Sequence, residues 1–324
     1  MTMLLSSSSS WSSSWMIWFL AITVMTMPPC RATNHDSSLS PTSQASIQRV
    51  LDRLHEWHTD WELQQQEQEH HETRRRRPFV VVSYAQSLNG DMAAMVNGRP
   101  SHNLPLSGHE SLVMTHALRA TLDGILIGGQ TLSIDNPRLT NRLWTPMTTT
   151  TTPSSKEEYS QRPQPIPIVL DPQLHHLQTI GNHCQARNLW VCCGPNAMQS
   201  LESLPDIGAL LVPCQMKTNN NRNSQSHLDL QDVLEQLYHK GIRKLLVEGG
   251  PTVLTSFFEA DFVDAVCITI APKVVLQSRS FTGRLAPTFG PSKTNKNPLL
   301  DLCDPEFVLL GSDCVLLSKW SRGS

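Results

Sequence analysis

The sequence predicts an α/β fold, a mostly parallel sheet with helices on both faces and an antiparallel hairpin closing one edge. Three features predict it. Two strand-like runs, at residues 125–127 and 242–247, lead into a glycine pair, Gly128-Gly129 directly and Gly249-Gly250 after Glu248, and then into polar residues or a helix. Segments with helical spacing alternate with such runs, as in strand–helix–strand units whose strands lie parallel. Near the C-terminus, the runs 307–310 and 315–317 are close enough to pair as a hairpin.

Residues 1–35 contain no Asp or Glu and carry an apolar run from Trp15 to Met27, followed by Cys30-Arg31-Ala32. That run is short for a bilayer span but suits the apolar part of a signal peptide, so a targeting segment is expected. It would lead into the secretory route or an organelle, plastids included; an uncleaved membrane anchor and a cytoplasmic location are the alternatives. Residues 36–77 read as a linker. Within it Ile47, Val50, Leu51, Leu54, Trp57 and Trp61 recur at helical spacing, predicting an amphipathic helix between Ser46 and about Glu72 that rests on its own domain or recruits a partner. Arg74–Arg77 reads as a solvated junction.

Pro78 opens the expected folded domain, residues 78–324. Residues 79–85 are β-branched and apolar enough for a central strand, and Asn89-Gly90 ends it in a turn. Ser107 and Glu110 form a capping box before a helix with Met114, Ala117, Leu118 and Leu122 on its apolar side. Gly124 stops it, and residues 125–127 make a buried strand. A polar loop is expected next, carrying Thr131, Asp135, Asn136-Pro137, Leu139 and Arg142. From 145 to 165 the chain is Thr, Pro, Ser and charge, with too little apolar surface to offset its ordering entropy, so a disordered insertion is expected. Strands follow at 166–170, 188–193 and 209–213, then a helix at 228–240 closed by Gly241. The strand 242–247 ends in Glu248 and turns through Gly249-Gly250 into a helix with Pro251 in its first position and Phe257 and Phe258 facing the core. Another strand, 263–270, ends at Ala271-Pro272.

With 26 basic and 28 acidic residues, the net charge of −2 gives no steering toward nucleic acid or an anionic membrane, so ligands belong in a cleft. The eight cysteines are scattered through a chain too long to need a disulfide framework, which favours reduced core thiols. No CxxC or HxE accompanies Cys184, Cys192 and Cys193, so no metal site is expected. Backbone N–H groups from Thr252 to Leu254 would point out of the sheet behind two glycines, which suits a diphosphate. Two glycine-flanked strand ends imply one crevice with two occupants.

The stretches SYAQSLNGDMA, SGHESLVMTHALRATLDGILIGGQTLSIDNPRLTNR, PIPIVLD and LLVEGGPTVLTSFFEADFVDAVCITIAPKV, in this order, resemble the riboflavin-biosynthesis reductases. These act on 2,5-diamino-6-ribosylamino-pyrimidinone 5′-phosphate, as separate fungal enzymes or as one half of a bifunctional deaminase-reductase. The resemblance covers roughly Pro78 to Trp320 and implies a three-layer sandwich similar to dihydrofolate reductase. It also implies NADPH as cofactor, a phosphorylated ribosylamino-pyrimidine as substrate, and a homodimer. By matching position, Ala85, Thr131, Asp135 and the run Gly250, Pro251, Thr252, Val253, Leu254, Thr255 and Ser256 would contact NADPH. Arg119, Leu139, Arg142 and Glu248 would face the substrate, with the two arginines on its phosphate and Glu248 nearest the chemistry.

Each of these residues also has a plain structural role open to it: Arg119 complements a helix C-terminus, Asp135 a turn, Thr131 a helix start. His116 reads as a packing residue. Asn89 and Asn136 stand where relatives often have Asp, Pro172 replaces a serine that touches the cofactor in bacterial members, and Lys273–Ser280 lacks a glycine usual there. PCxxC is absent and the HxE at His70-His71-Glu72 stands without it, so no deaminase half is expected. A reductase of another heterocycle and a non-catalytic nucleotide-binding relative are the alternative readings.

Overall fold

The computed structural model describes residues 39–67, 76–96, 99–101, 104–145, 162–199, 208–217, 227–276, 287 and 302–320. The expected targeting segment and most of the Thr-rich insertion lie outside them.

The chain builds a nine-stranded sheet and a separate small hairpin. In chain order the strands are β1 (Phe79–Ser87), β2 (Ala94–Val96), β3 (Arg99–Ser101), β4 (Gly124–Gly128), β5 (Ile166–Leu170), β6 (Trp190–Cys193), β7 (Leu210–Pro213), β8 (Lys244–Val247), β9 (Ala265–Ala271), β10 (Cys303–Leu310) and β11 (Asp313–Lys319). The large sheet runs β10-β11-β9-β1-β8-β4-β5-β6-β7. From β9 to β7 every pairing is parallel, and β11 and β10 close the edge antiparallel. This is the mostly parallel sheet with an edge hairpin that the sequence predicts.

The helices are α1 (Pro41–Glu67), α2 (His109–Thr121), α3 (Gly129–Asp135), α4 (His175–Ile180), α5 (Pro195–Gln199), α6 (Leu230–His239) and α7 (Pro251–Glu259). Strand alternation divides the core in two. Phe79, Val81, Ile125, Ile127 and Leu246 face α1, α2 and α4, whereas Val80, Val82, Leu126, Leu245 and Val247 face α6 and α7. Helices therefore cover both faces, as buried parallel strands require.

Several local expectations change. α1 spans Pro41–Glu67, and its Ile47, Val50, Leu51, Leu54 and Trp57 are at most 8% exposed within the same core cluster as α2 and β10. The Ser107–Glu110 capping box does not form. α2 begins at His109 behind Gly108, which takes no side-chain cap; instead the Gly108 amide donates to Asp313 Oδ2 at 2.7 Å, and the Glu110 carboxylate lies over Gly311. The expected polar loop after β4 begins with a helix, α3, capped by Asn136 in the left-handed region (φ 41°). At the far end of the expected insertion, Gln164 exchanges two hydrogen bonds with the Asn141 backbone, 2.9 and 2.8 Å, so that end is tied down. The hairpin of β2 and β3 and the short helices α4 and α5 were not expected.

The seven described cysteines are free thiols, five of them buried. No described helix is long and apolar enough to cross a membrane.

Both unusual asparagines use their amides in two directions. Asn89 Nδ2 donates to the Val275 carbonyl (3.0 Å) while its Oδ1 accepts from the Val275 amide (2.9 Å), and Asn136 makes the same two-way link to His183 and Gln185, both at 2.8 Å. A carboxylate could accept but not donate.

Candidate functional site

The sheet parts at β8. Val247 pairs with Val82 of β1 and Leu126 of β4, but β1 continues to Ser87 and β4 to Gly128 while β8 stops. Glu248, Gly249 and Gly250 floor the resulting notch in the C-terminal edge. The strand order also turns here: β4 to β7 are laid outward on one side, and β9 lies on the other, beyond β1. Open α/β sheets bind ligands at such a point.

α7 starts at this notch, with Gly250 as an extended N-cap and Pro251 in its first position. The Leu254 amide donates to the Gly250 carbonyl at 3.1 Å, which leaves the Thr252 and Val253 N–H groups as donors the helix does not use. Leu254 is wholly buried. At Leu254, which is expected to contact the cofactor, the amide is used within the helix and the side chain faces the core.

The glycines have a packing role that the sequence reading did not include. A Cβ on Gly249 would meet Val253 Cβ at 2.6 Å, one on Gly128 would meet Val253 Cγ2 at 2.9 Å, and one on Gly129 would meet His176 at 2.7 Å. They let α7 and α4 close onto the strand ends. A Cβ on Gly250 would stand 3.2 Å from Thr131 Oγ1, so α3 and the start of α7 face one another across the notch. Asp135 lies one turn beyond Thr131 on α3. Ala85, half-buried near the end of β1, lies above the level at which β8 stops.

Beside this helix start is a cavity of about 660 Å³, within the usual range for small-molecule sites. Gly128, Gly129, Thr252, Val253 and Ser256 line it. Asp171, Pro172, His176, Lys217 and His227 line it too, with His176 packed against Gly129. Asp171 is buried and already committed, its Oδ2 accepting from the His176 and Leu177 amides, both at 2.9 Å. Lys217 is exposed and forms no ion pair among the described residues. No short motif marks these residues in the sequence; they converge from the tails of β5 and β7, from α4 and from the segment before α6.

Arg119 and Glu248 are brought into direct contact. Arg119 Nε and Nη2 donate to the two carboxylate oxygens at 3.0 and 2.6 Å, and Nη1 donates to the Thr140 carbonyl at 3.3 Å. Burial works against the guanidinium charge, and Glu248 overcomes it, holding the group above arginine's ordinary range. Of the two arginines expected on a phosphate, Arg119 is paired with Glu248 in this structure. Arg142 is exposed, with Nη1 on Thr140 Oγ1 at 3.1 Å. Leu139 is 2% exposed, so its side chain belongs to the core; its left-handed backbone (φ 55°) is a strained conformation of the kind found at binding loops.

Residues 78–289 match the model of the RibD C-terminal domain family. The chain belongs to this family. Among curated RibD-type relatives it is similar to the 2,5-diamino-6-ribosylamino-4(3H)-pyrimidinone 5′-phosphate reductase of Schizosaccharomyces pombe, 29% identical over 60% of this chain and 74% of the other. It is also similar to the riboflavin biosynthesis protein RibD of Aquifex aeolicus, 27% identical over 61% of this chain, and spans 48% of that protein. Among solved structures, RibD of Acinetobacter baumannii covers 76% of this chain and is itself covered over 58%, with a TM-score of 0.52 and 18% identity. That likeness bears on the fold alone, and it agrees with the RibD-type arrangement of a parallel sheet with an antiparallel edge.

Proposed function

We propose that this chain is the NADPH-dependent reductase of 2,5-diamino-6-ribosylamino-4(3H)-pyrimidinone 5′-phosphate in riboflavin biosynthesis. The observation that carries the reading is the notch above β8, where the open start of α7 faces Thr131 on one side and the Arg119–Glu248 pair floors the other. Family membership and the curated relatives' names support it.

The residues fit a dinucleotide. The Thr252 and Val253 amides, at the positive end of α7, suit the diphosphate. Lys217 and the histidines that line the cavity suit a further phosphate on the adenosine ribose, which supports NADPH over NADH. When bound, the dihydronicotinamide would supply a hydride to C1 of the open-chain imine, the C=N π pair going to nitrogen, which takes a proton from solvent. The chain's own task is to hold the two reactants together and keep water out. Exposed Arg142 supplies a directional cation for the substrate phosphate. Glu248, oriented by Arg119, can accept from the sugar hydroxyls. A homodimer belongs to the same proposal; Phe307 and Leu309, 65% and 73% exposed on the edge strand β10, offer it an apolar strip.

The test is turnover of the named substrate by the purified full chain, followed by loss of reduced-nicotinamide absorbance and by identification of the ribityl product. Oxidation of NADPH with formation of that product is expected, with NADH the poorer donor. Binding of NADPH without turnover would overturn the proposal.

A further inference from the structure

We propose that His116 is a positioning residue that fixes the backbone of Arg142 so that its guanidinium meets the substrate phosphate. The inference rests on the substrate role given to Arg142 above.

His116 lies on α2, three residues before Arg119, and is wholly buried. Its Nδ1 accepts the Arg142 backbone N–H at 2.9 Å. Burial first, and then the nearby charges of Arg119, Arg142 and Arg162, push its pKa down to about 3, so the ring is neutral at physiological pH. The Thr140 carbonyl opposes that shift without reaching hydrogen-bonding geometry. With Nδ1 accepting, the proton sits on Nε2. That nitrogen is buried with no hydrogen-bond partner among the described residues.

An apolar side chain would avoid burying the unpartnered Nε2–H but would leave the Arg142 N–H without its acceptor. What histidine adds is the acceptor at Nδ1, aimed at one backbone group of one loop. The rest of that loop is clamped as well. Arg162 Nη1 donates to the Arg142 carbonyl, Gln164 holds Asn141 from both sides, and Asn141 exchanges hydrogen bonds with Trp144 at 2.9 and 3.1 Å. The backbone N–H and C=O of Arg142 are thus both held by side chains distant in sequence, while its guanidinium stays exposed. Precision is placed in the backbone, and the contact group is left accessible.

The test uses the full chain and three variants. His116→Asn keeps an acceptor close to where Nδ1 sits. His116→Gln and His116→Leu remove it, the first with a polar and the second with an apolar replacement. Loss of the acceptor is expected to raise KM for the phosphorylated substrate roughly tenfold while kcat and the KM for NADPH change by less than about threefold, and His116→Asn is expected to restore most of the loss. On an Arg142→Ala background, His116→Gln is expected to add nothing. Should His116→Leu fail to fold, the comparison of His116→Asn with His116→Gln decides. Equal effects of Asn and Gln, or effects additive with Arg142→Ala, overturn the inference while leaving the proposed reaction intact. If the unaltered chain does not turn over this substrate, the proposed reaction falls and the positioning role falls with it.

Discussion

Arg119 and Glu248, 129 residues apart in sequence, meet through two parallel hydrogen bonds of 3.0 and 2.6 Å, with each side chain 14% exposed. The pair joins the last turn of α2 to the end of β8 and leaves neither group free to act alone. Glu248→Ala strands a largely buried guanidinium, and a stability loss of about 2–4 kcal/mol is expected, somewhat below the cost for a fully buried pair. Turnover is expected to fall by at least roughly tenfold. Chemical denaturation across the double-mutant cycle with Arg119→Ala checks this: a coupling near zero would mean the contact contributes nothing specific.

Lys217 and Thr252 line the same cavity. Lys217→Glu replaces a cation by an anion at the wall assigned to the extra phosphate. Weakening of NADP+ binding by roughly tenfold or more, with NAD+ binding within about twofold, is expected from loss of one charge-assisted contact and gain of repulsion. Calorimetric titration of both nucleotides measures it. Equal weakening of the two would remove Lys217 from phosphate recognition.

Gly249→Ala tests whether the glycine is demanded by packing. The added Cβ would lie 2.6 Å from Val253 Cβ, a backbone-proximal atom that cannot swing away. A loss of about 1–3 kcal/mol is expected, as for other overpacked sites. Trimming the neighbour with Val253→Ala should recover part of it. If the two changes are additive across the double-mutant cycle, contact with the Val253 methyls, the nearer at 2.7 Å, is not the cause.

The strands and their glycine ends were legible because buried parallel strands announce themselves as short apolar runs, and Gly249-Gly250 before Pro251 admits few other readings. That α1 rests on its own domain was one of the two readings its periodicity allowed, and the depth of its burial was not legible, since helical spacing shows that a face is apolar without showing what covers it. The capping box at Ser107 failed for a related reason: its partners exist locally, but Asp313 and Gly311, brought in by β11, compete for Gly108 and Glu110. α3 was hidden by its glycine start and polar content. At the site, Arg119 and Glu248 were singled out separately, and their mutual contact is a tertiary fact that neither local sequence contains. The cavity wall of His176, Lys217 and His227 carries no motif and was missed outright.

Because Ile47, Val50, Leu51, Leu54 and Trp57 sit in the main core, a chain beginning at Pro78 lacks part of its interior. Burial of each such side chain is worth about 1.5–3 kcal/mol, so their joint loss is comparable to the whole net stability of a typical domain, roughly 5–15 kcal/mol. Residues 78–324 alone are expected to lack a cooperative thermal transition and to expose apolar surface to dye, in contrast to residues 39–324. A sharp transition in the shorter chain would show that α1 is dispensable.

The buried His116 makes stability depend on acidity in a defined window. Its pKa is depressed to about 3 in the folded protein against an ordinary value of 6.5. Between these values the unfolded chain takes up a proton that the native state refuses, so lowering the pH favours unfolding throughout that interval. The contribution is therefore fully present above pH 6.5 and is lost as pH falls toward about 3. Arg119, Arg142 and Arg162, the charges that help depress it, do not titrate there. His58, whose pKa is also lowered, chiefly by burial, acts in the same direction, so the informative quantity is a difference between proteins. Urea midpoints measured from pH 7 to pH 4 should fall less steeply for His116→Asn than for the unaltered chain. Parallel slopes would mean that the native state accepts the proton at His116 without penalty, and that the ring does not stay neutral against Arg142.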